Sequence, residues 1–217
     1  MREAFHDELD GISQTLLEMT ALVKSAMGDA THALLSADLA VAEKVIQEDD
    51  IIDDMQHELD ARTISLMARQ QPVASDLRTL VTSLRMSADL ERMGDLSHHI
   101  ARQARMRYPN CAVPEQLRGI IQDMGKTAIT IIDKLSAVME HRDIVRAVEI
   151  ETDDDEMDRL HRALIATLLD DKWDLGVEAA IDMTLLGRYY ERCADHAVSI
   201  ARRVYFLVTG EYTPARD

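Results

Sequence analysis

Aromatic residues, proline, glycine and cysteine are all scarce in this chain of 217 residues. Aromatic residues make up 4% of it, and it contains 4 prolines, 8 glycines and 2 cysteines. Because proline and glycine interrupt helices, so few of them leave room for long helices. Cys111 and Cys193 are far apart and have no CxxC spacing, so they are interpreted as unpaired thiols in a reducing compartment.

Positive charge is also in short supply. Lysine and arginine number 24 against 40 aspartate and glutamate residues, which gives a formal net charge of −16. Nucleic acids and anionic membrane surfaces repel such a chain, so neither is an expected partner. No apolar run approaches the roughly 20 residues that span a bilayer, and residues 1–6 lack the apolar block of a signal peptide. We therefore expect a cytoplasmic protein without membrane insertion.

Apolar residues, by contrast, are plentiful and recur at helical spacing. They make up 47% of the chain, enough for a substantial core, and no strand-like alternation is long enough to predict a sheet. The fold class predicted is all-α. Two prolines within residues 108–114 mark the clearest linker. Six long helices are predicted, over residues 2–36, 38–70, 74–107, 115–140, 142–170 and 173–209.

Two segments that lie 100 residues apart are nearly alike. Residues 91–102 and 191–202 share Glu, Arg, Asp, Ile, Ala and Arg at matching positions. A weaker match joins residues 52–55 to residues 157–160, at an offset of 105. The difference between the offsets predicts a shorter turn between the fifth and sixth helices than between the second and third. The chain is thus predicted to hold two tandem three-helix bundles, residues 1–108 and 114–210.

The repeated segments place carboxylates on a stripe that is otherwise largely apolar. Residues spaced by three and four positions share one face of a helix. This face is predicted to point to the core and to change from aliphatic to acidic residues along the helix. Two ionised acids one turn apart on a buried seam repel each other and lose hydration, so they need a cation, either an arginine or a metal. The stripe reads Leu77, Val81, Leu84, Ala88, Glu91, Asp95 and His98 in the first copy, and Val177, Ile181, Thr184, Arg188, Glu191, Asp195 and Val198 in the second.

Each unit carries a second acid pair on its middle helix, Asp49 with Asp53 and Asp154 with Asp158. If the middle and last helices of a unit are antiparallel neighbours, four carboxylates converge between them. Oxygen ligands of this kind suit Mg²⁺, Mn²⁺, Ca²⁺ or Fe³⁺. Two alternatives stay open: the acids are merely solvated, as most surface pairs are, or Arg92 and Arg192 neutralise them without metal.

Sequence motifs of catalysis are absent. The chain has no phosphate-cradling glycine loop, no GxSxG and no HExxH. A ferritin-like di-iron site needs ExxH on two helices, and the one ExxH here, residues 3–6, has no counterpart. No catalytic residue and no organic cofactor are predicted. A hydrolase that activates water on a carboxylate-bound metal cluster and a metal-free helical scaffold remain as alternatives.

Residues 71–78, Gln-Pro-Val-Ala-Ser-Asp-Leu-Arg, the two ERxxD segments and the acid pairs together resemble the PhoU family of phosphate-transport accessory proteins. The resemblance extends over nearly the whole chain. It implies two three-helix bundles related by a pseudo-twofold axis, a homodimer, and clusters of divalent or trivalent metal ions (Fe, Mg, Mn or Zn). It also implies a non-enzymatic negative regulator that binds the ATP-binding subunit of the high-affinity phosphate ABC transporter and the phosphate-sensing histidine kinase.

The resemblance also implies a set of metal ligands within E/DxxxD motifs. The family usually has His after the motif's Asp, but Leu96 replaces it in the first copy while His196 retains it in the second. His99 and Ser199 stand where the family commonly has Asn. Carried over by motif, the ligands are Asp49, Asp53, Glu91 and Asp95 in the first unit, and Asp154, Asp158, Glu191 and Asp195 in the second.

Overall fold

The computed structural model describes the backbone of residues 2–211 and the side chains of residues 5–211, and this part of the chain contains helices and turns but no strand. The predicted all-α fold with six long helices is confirmed. A short 3₁₀ turn, Glu115–Leu117, precedes the fourth helix. The helices are α1 (Arg2–Ser36), α2 (Leu39–Gln70), α3 (Ala74–Arg107), α4 (Arg118–His141), α5 (Ile144–Leu168) and α6 (Gly176–Thr209).

The helix ends follow local side-chain chemistry. Asp38 caps α2, because its carboxylate accepts a hydrogen bond from the Val41 amide at 3.1 Å. Asp143 caps α5 in the same way, so this helix begins at residue 144 rather than 142. At the other end of α2, Gln71 adopts a left-handed conformation with φ of 47° and closes the helix just before Pro72.

The prediction of a shorter turn between the fifth and sixth helices is wrong. Residues 169–175 join α5 to α6, whereas only residues 71–73 join α2 to α3. The difference in repeat offset comes instead from the middle helices, since α2 has 32 residues and α5 has 25. The second unit therefore loses about two helical turns at the C-terminal end of its middle helix.

The two three-helix units pack against each other and share one hydrophobic core. Within the first unit α1, α2 and α3 are mutual neighbours, and within the second so are α4, α5 and α6. The units meet where α1 packs on α4 and α3 packs on α6. This arrangement puts α1, α3, α4 and α6 in the centre, with α2 and α5 on opposite flanks. The domain limits 1–108 and 114–210 stay a prediction.

Two close contacts join the units. Tyr190 of α6 is fully buried, and its hydroxyl forms a hydrogen bond of 2.9 Å with the hydroxyl of Thr31 on α1. Gly125 of α4 also lies against Thr31, and a Cβ atom added there would come within 2.5 Å of the Thr31 methyl carbon. Glycine is thus the residue that lets α1 and α4 approach so closely. No helix within residues 2–211 is long and apolar enough to cross a membrane.

The stripe that the sequence places against the core lies at its edge instead. Leu77 is 42% exposed and Val177 is 75% exposed. Because α3 is packed against α1, α2 and α6, its buried side needs small residues. Serine and glycine meet this need, but they are not counted as apolar when a sequence is searched for a hydrophobic face. The buried face of α3 includes Leu80, Ser83, Ser87, Leu90, Gly94 and Ser97.

Candidate functional site

The structure brings the four predicted acids of the first unit together between α2 and α3. Asp49 and Glu91 are largely buried, with side chains 12% and 20% exposed. Burial raises the pKa of Asp53 above its usual range, and the negative charges of Asp49 and Asp95 raise it further. Burial likewise raises the pKa of Glu91, with Asp95 as the nearest like charge. These shifts mean that the four carboxylates lie within electrostatic reach of one another.

The second unit repeats this arrangement between α5 and α6. Burial raises the pKa of Asp154 to about 6, and the charges of Asp195 and Asp158 add to the effect. Burial also raises the pKa of Glu191, with Asp195 again the main like charge. Asp195 is affected in the same direction, first by burial. The repulsion is thus a property of both repeats and does not depend on one side chain.

One atom of the second group is both buried and unsatisfied. Oδ1 of Asp154 has no hydrogen-bond donor within the described part of the chain. An oxygen that is buried without a hydrogen-bond donor loses the free energy of its hydration, and a bound cation offsets that loss. The neighbouring Asp153 differs, because Lys134 approaches its carboxylate to 2.7 Å.

Arginines offset part of the negative charge in each group. Arg92 donates a hydrogen bond of 2.8 Å to Asp95, as the sequence analysis allows. In the second unit Arg188, rather than Arg192, hydrogen-bonds Glu191. Both arginine side chains are more than half exposed, so water screens these pairs. Arg92 also lies 3.4 Å from Glu91, and Arg162 lies 3.6 Å from Asp158. One or two exposed arginines do not neutralise four acids.

The eight acids suit a metal ion by chemistry and charge, but they do not yet form a coordination shell. Within residues 5–211, no three His, Cys, Asp or Glu side chains are placed to hold a metal as they stand. His98 illustrates this, because its Nδ1 lies 2.5 Å from Oδ2 of Asp49 and occupies one carboxylate of the first group. A metal ion would therefore require side-chain rotation, and the eight ligands stay a prediction.

Asp89, a largely buried acid that joins α3 to α6, was not predicted from the sequence. Asp89 accepts hydrogen bonds from Ser199 at 3.1 Å and Arg203 at 3.2 Å, and His196 Nδ1 lies 3.0 Å from its other oxygen. Burial alone would raise the pKa of Asp89, but the contacts with His196 and Arg203 outweigh it and lower the pKa. A single aspartate on a polar helix gives no signal of such partners.

The same contact recurs with different chemistry at positions 100 residues away. Tyr189 of α6 corresponds to Asp89, and His99 of α3 corresponds to Ser199. The Tyr189 and His99 rings stack with centroids 5.3 Å apart.

At one end of the α3–α6 pair, Arg107 hydrogen-bonds Asp182 at 2.7 Å and Glu178 at 2.5 Å. Since the C-terminal end of α3 meets the N-terminal end of α6, the two helices run antiparallel.

Comparison with known proteins gives a consistent family match. The family model for the PhoU domain matches the chain twice, at residues 16–104 and 121–204. Phosphate-specific transport system accessory protein PhoU homolog 2 of Mycobacterium tuberculosis is 44% identical over 212 residues, which cover 98% of this chain and 100% of that protein. The PhoU homolog of Rhizobium meliloti is 31% identical, over 95% of this chain and 88% of that protein.

Solved structures give the same result. The crystal structure of PhoU from Pseudomonas aeruginosa matches with a TM-score of 0.86 at 29% identity, covering 95% of this chain and 100% of that one. The phosphate transport system regulatory protein PhoU from Streptococcus pneumoniae matches with a TM-score of 0.86 at 28% identity, covering 97% and 100%.

Proposed function

Because this chain belongs to the PhoU family, we propose that it is a non-enzymatic negative regulator of phosphate uptake. The observation that carries the proposal is the match over nearly the full length of proteins named as accessory to the phosphate-specific transport system. Its partners are the ATP-binding subunit of the phosphate ABC transporter and the phosphate-sensing histidine kinase. We place it in the cytoplasm, as a homodimer.

The acid groups would act structurally in this proposal. Asp49 and Asp53 lie on the flanking helix α2, and Glu91 and Asp95 lie on the central helix α3. A divalent or trivalent ion between them would remove the repulsion that, together with burial, raises the pKa values of Asp53 and Glu91, and would hold the flank to the centre. The same holds for α5 and α6, where the unpaired Oδ1 of Asp154 supports a cation most directly.

The experiment is deletion of the gene followed by complementation. In phosphate-rich medium we expect the deletion strain to express phosphate-starvation genes at high level, and the wild-type gene to restore repression. Protein captured from such cells should bring down the transporter's ATP-binding subunit and the kinase. Unchanged expression after deletion, together with absence of both partners from the captured material, would contradict the proposal.

The hydrolase alternative predicts a different result. It requires phosphate-ester turnover by the purified chain that depends on added metal and is lost in Glu91→Gln. We expect no such turnover, since the relatives are named as accessory and regulatory proteins. A metal-free scaffold, the other alternative, predicts that protein purified without chelator or affinity-tag metal contains no bound ion.

A further inference from the structure

A cavity of about 600 Å³ lies between α3 and the α5–α6 pair, and four arginines line it. Arg78 and Arg85 come from α3, and Arg202 and Arg203 come from α6. In a chain with a net charge of −16, so many cations around one cavity are unexpected. The volume falls within the range of small-molecule sites, about 300–1,000 Å³.

The four arginines are engaged to different degrees. Nε of Arg203 donates to Asp89 at 3.2 Å, and Nε of Arg202 donates to Glu151 at 2.8 Å. Each of these bonds uses one of the five N–H donors of a guanidinium. Arg85 makes no hydrogen bond or ion pair with any residue of the described part of the chain.

Arg78 is positioned by an aromatic ring. Its guanidinium carbon lies 4.9 Å from the centre of the Phe206 ring, which also lines the cavity. A cation over a ring face is attracted by the ring's electrons, and this contact uses none of the Arg78 N–H groups in a hydrogen bond or ion pair with the described part of the chain. Arg78 and Arg85 thus bring donors to the cavity that the fold itself does not use for ion pairing.

The internal repeat shows that the fold does not require these arginines. At positions 100 residues away, Glu178 replaces Arg78 and Leu185 replaces Arg85. Gln103 likewise corresponds to Arg203, and Arg102 alone matches a cavity arginine. The related helix faces of the two units therefore pack with or without Arg78 and Arg85, so packing does not explain these two arginines.

Acids also border the cavity, at one end of it. Asp154 and Asp195 contribute to the lining, and Asp195 precedes Arg202 on α6 by seven residues, about 10 Å along the helix. Since α3 and α6 are antiparallel and Arg78 meets Phe206, Arg78 lies at the opposite end from Asp195. A ligand at the basic end thus has arginines around it and carboxylates beyond.

We propose that this cavity binds a phosphoryl group, either as inorganic phosphate or as the phosphate of a small ester, through Arg78, Arg85 and Arg202. The planar fork of a guanidinium matches two phosphate oxygens. With such a site the chain binds a ligand of its own, and no partner protein is needed for that binding.

Calorimetric titration of the purified full-length chain tests the proposal. Inorganic phosphate and glycerol 3-phosphate are each added in buffer with chelator, so that bound metal cannot contribute. We expect saturable binding of phosphate or of the ester. Arg85→Gln should raise the Kd by about ten- to a hundredfold, the worth of one charged hydrogen bond. Arg85 is exposed, so the variant should fold normally, which circular dichroism checks.

The matched control is Arg102→Gln, which removes the same charge from the corresponding face of the first unit and should keep the wild-type Kd. Binding of phosphate itself identifies the free ion as the ligand, and binding of the ester alone identifies a phosphorylated metabolite. No binding of either, or equal weakening in the two variants, would overturn the proposal. Such a failure would leave the regulatory role untouched, because deletion and complementation test that role independently.

Discussion

The hydroxyl of Tyr190 on α6 lies 2.9 Å from that of Thr31 on α1, and this buried hydrogen bond joins the two halves of the duplicated chain. Thr31 also donates to the Met27 carbonyl at 2.8 Å. The tyrosine hydroxyl is therefore the donor in the bond between the side chains, and Thr31 Oγ1 is its acceptor. Tyr190 is fully buried and Thr31 is nearly so, and the bond depends on both helices staying in register.

Tyr190→Phe should destabilise the fold modestly. The phenylalanine keeps the ring in the core and removes one hydrogen bond, which costs about 1 kcal/mol. For a chain of this size the Tm should fall by about 2–4 °C. Thermal unfolding followed by circular dichroism measures the change. A loss several times larger would mean that the hydroxyl does more than bond to Thr31.

The same residue predicts a pH dependence. Burial raises the pKa of Tyr190 well above its ordinary value, so the folded protein keeps this hydroxyl protonated while the unfolded chain ionises near pH 10. The stability from this group is complete below about pH 10 and is lost as pH rises above it. Wild type should therefore lose its advantage over Tyr190→Phe at alkaline pH. A difference between the two proteins that stays constant up to pH 11 would contradict this.

Asp89→Asn should weaken the contact between α3 and α6. The amide keeps the shape of the side chain but leaves Arg203 and His196 without their carboxylate, at a cost of about 1–3 kcal/mol. Urea unfolding gives the free-energy change. Asp133→Asn is the matched control, because this exposed acid pairs with Lys24 on the surface and should change stability by less than about 1 kcal/mol. Equal effects of the two variants would argue against a structural role for Asp89.

Gly125→Ala should destabilise the fold by about 1–3 kcal/mol, because the added methyl group clashes with Thr31 and the core has no space for it. Gly28→Ala is a control on the facing helix, where the nearest atom lies 3.8 Å from the new carbon. There alanine fits and its higher helix propensity should raise stability by up to about 1 kcal/mol. Opposite signs for the two variants in chemical unfolding are the expected result.

Added metal should raise the Tm of chelator-treated wild type. An ion at a hundred times its Kd would stabilise the fold by about 2.7 kcal/mol. Asp154→Asn should lose much of this gain yet be at least as stable as wild type without metal, because it removes a charge that its neighbours repel. Glu156→Gln, an exposed change two residues along α5, should respond as wild type does. If no ion tested shifts the Tm of wild type, the eight ligand assignments lose their support.

Much of the architecture could be predicted from sequence, because helix periodicity and its interruptions are local signals. Asp38 and Pro72 mark helix ends through their own chemistry. The acids of the candidate site were found because the repeat presents them twice. The orientation of α3 was predicted wrongly, since its buried face includes Ser83, Ser87 and Gly94, which do not register as apolar.

The contacts between the two units were out of reach of the sequence pattern. Asp89 meets Arg203 across 114 residues of chain, and Arg78 meets Phe206 across an even longer separation. No periodicity within either helix encodes the distance between them. The cavity, which needs α3 and α6 side by side, could be recognised only when the packing of the units was known.

The shared core of the two units has a consequence for their independence. Either half expressed alone would expose the sides of its central helices that now face the other half, and we expect it to aggregate. Chain cleavage within residues 108–114 should instead leave two fragments that remain associated and co-elute as one species. Each half of the duplicated chain thus covers the apolar surface of the other, and neither half has the polar surface that a bundle needs to be stable alone.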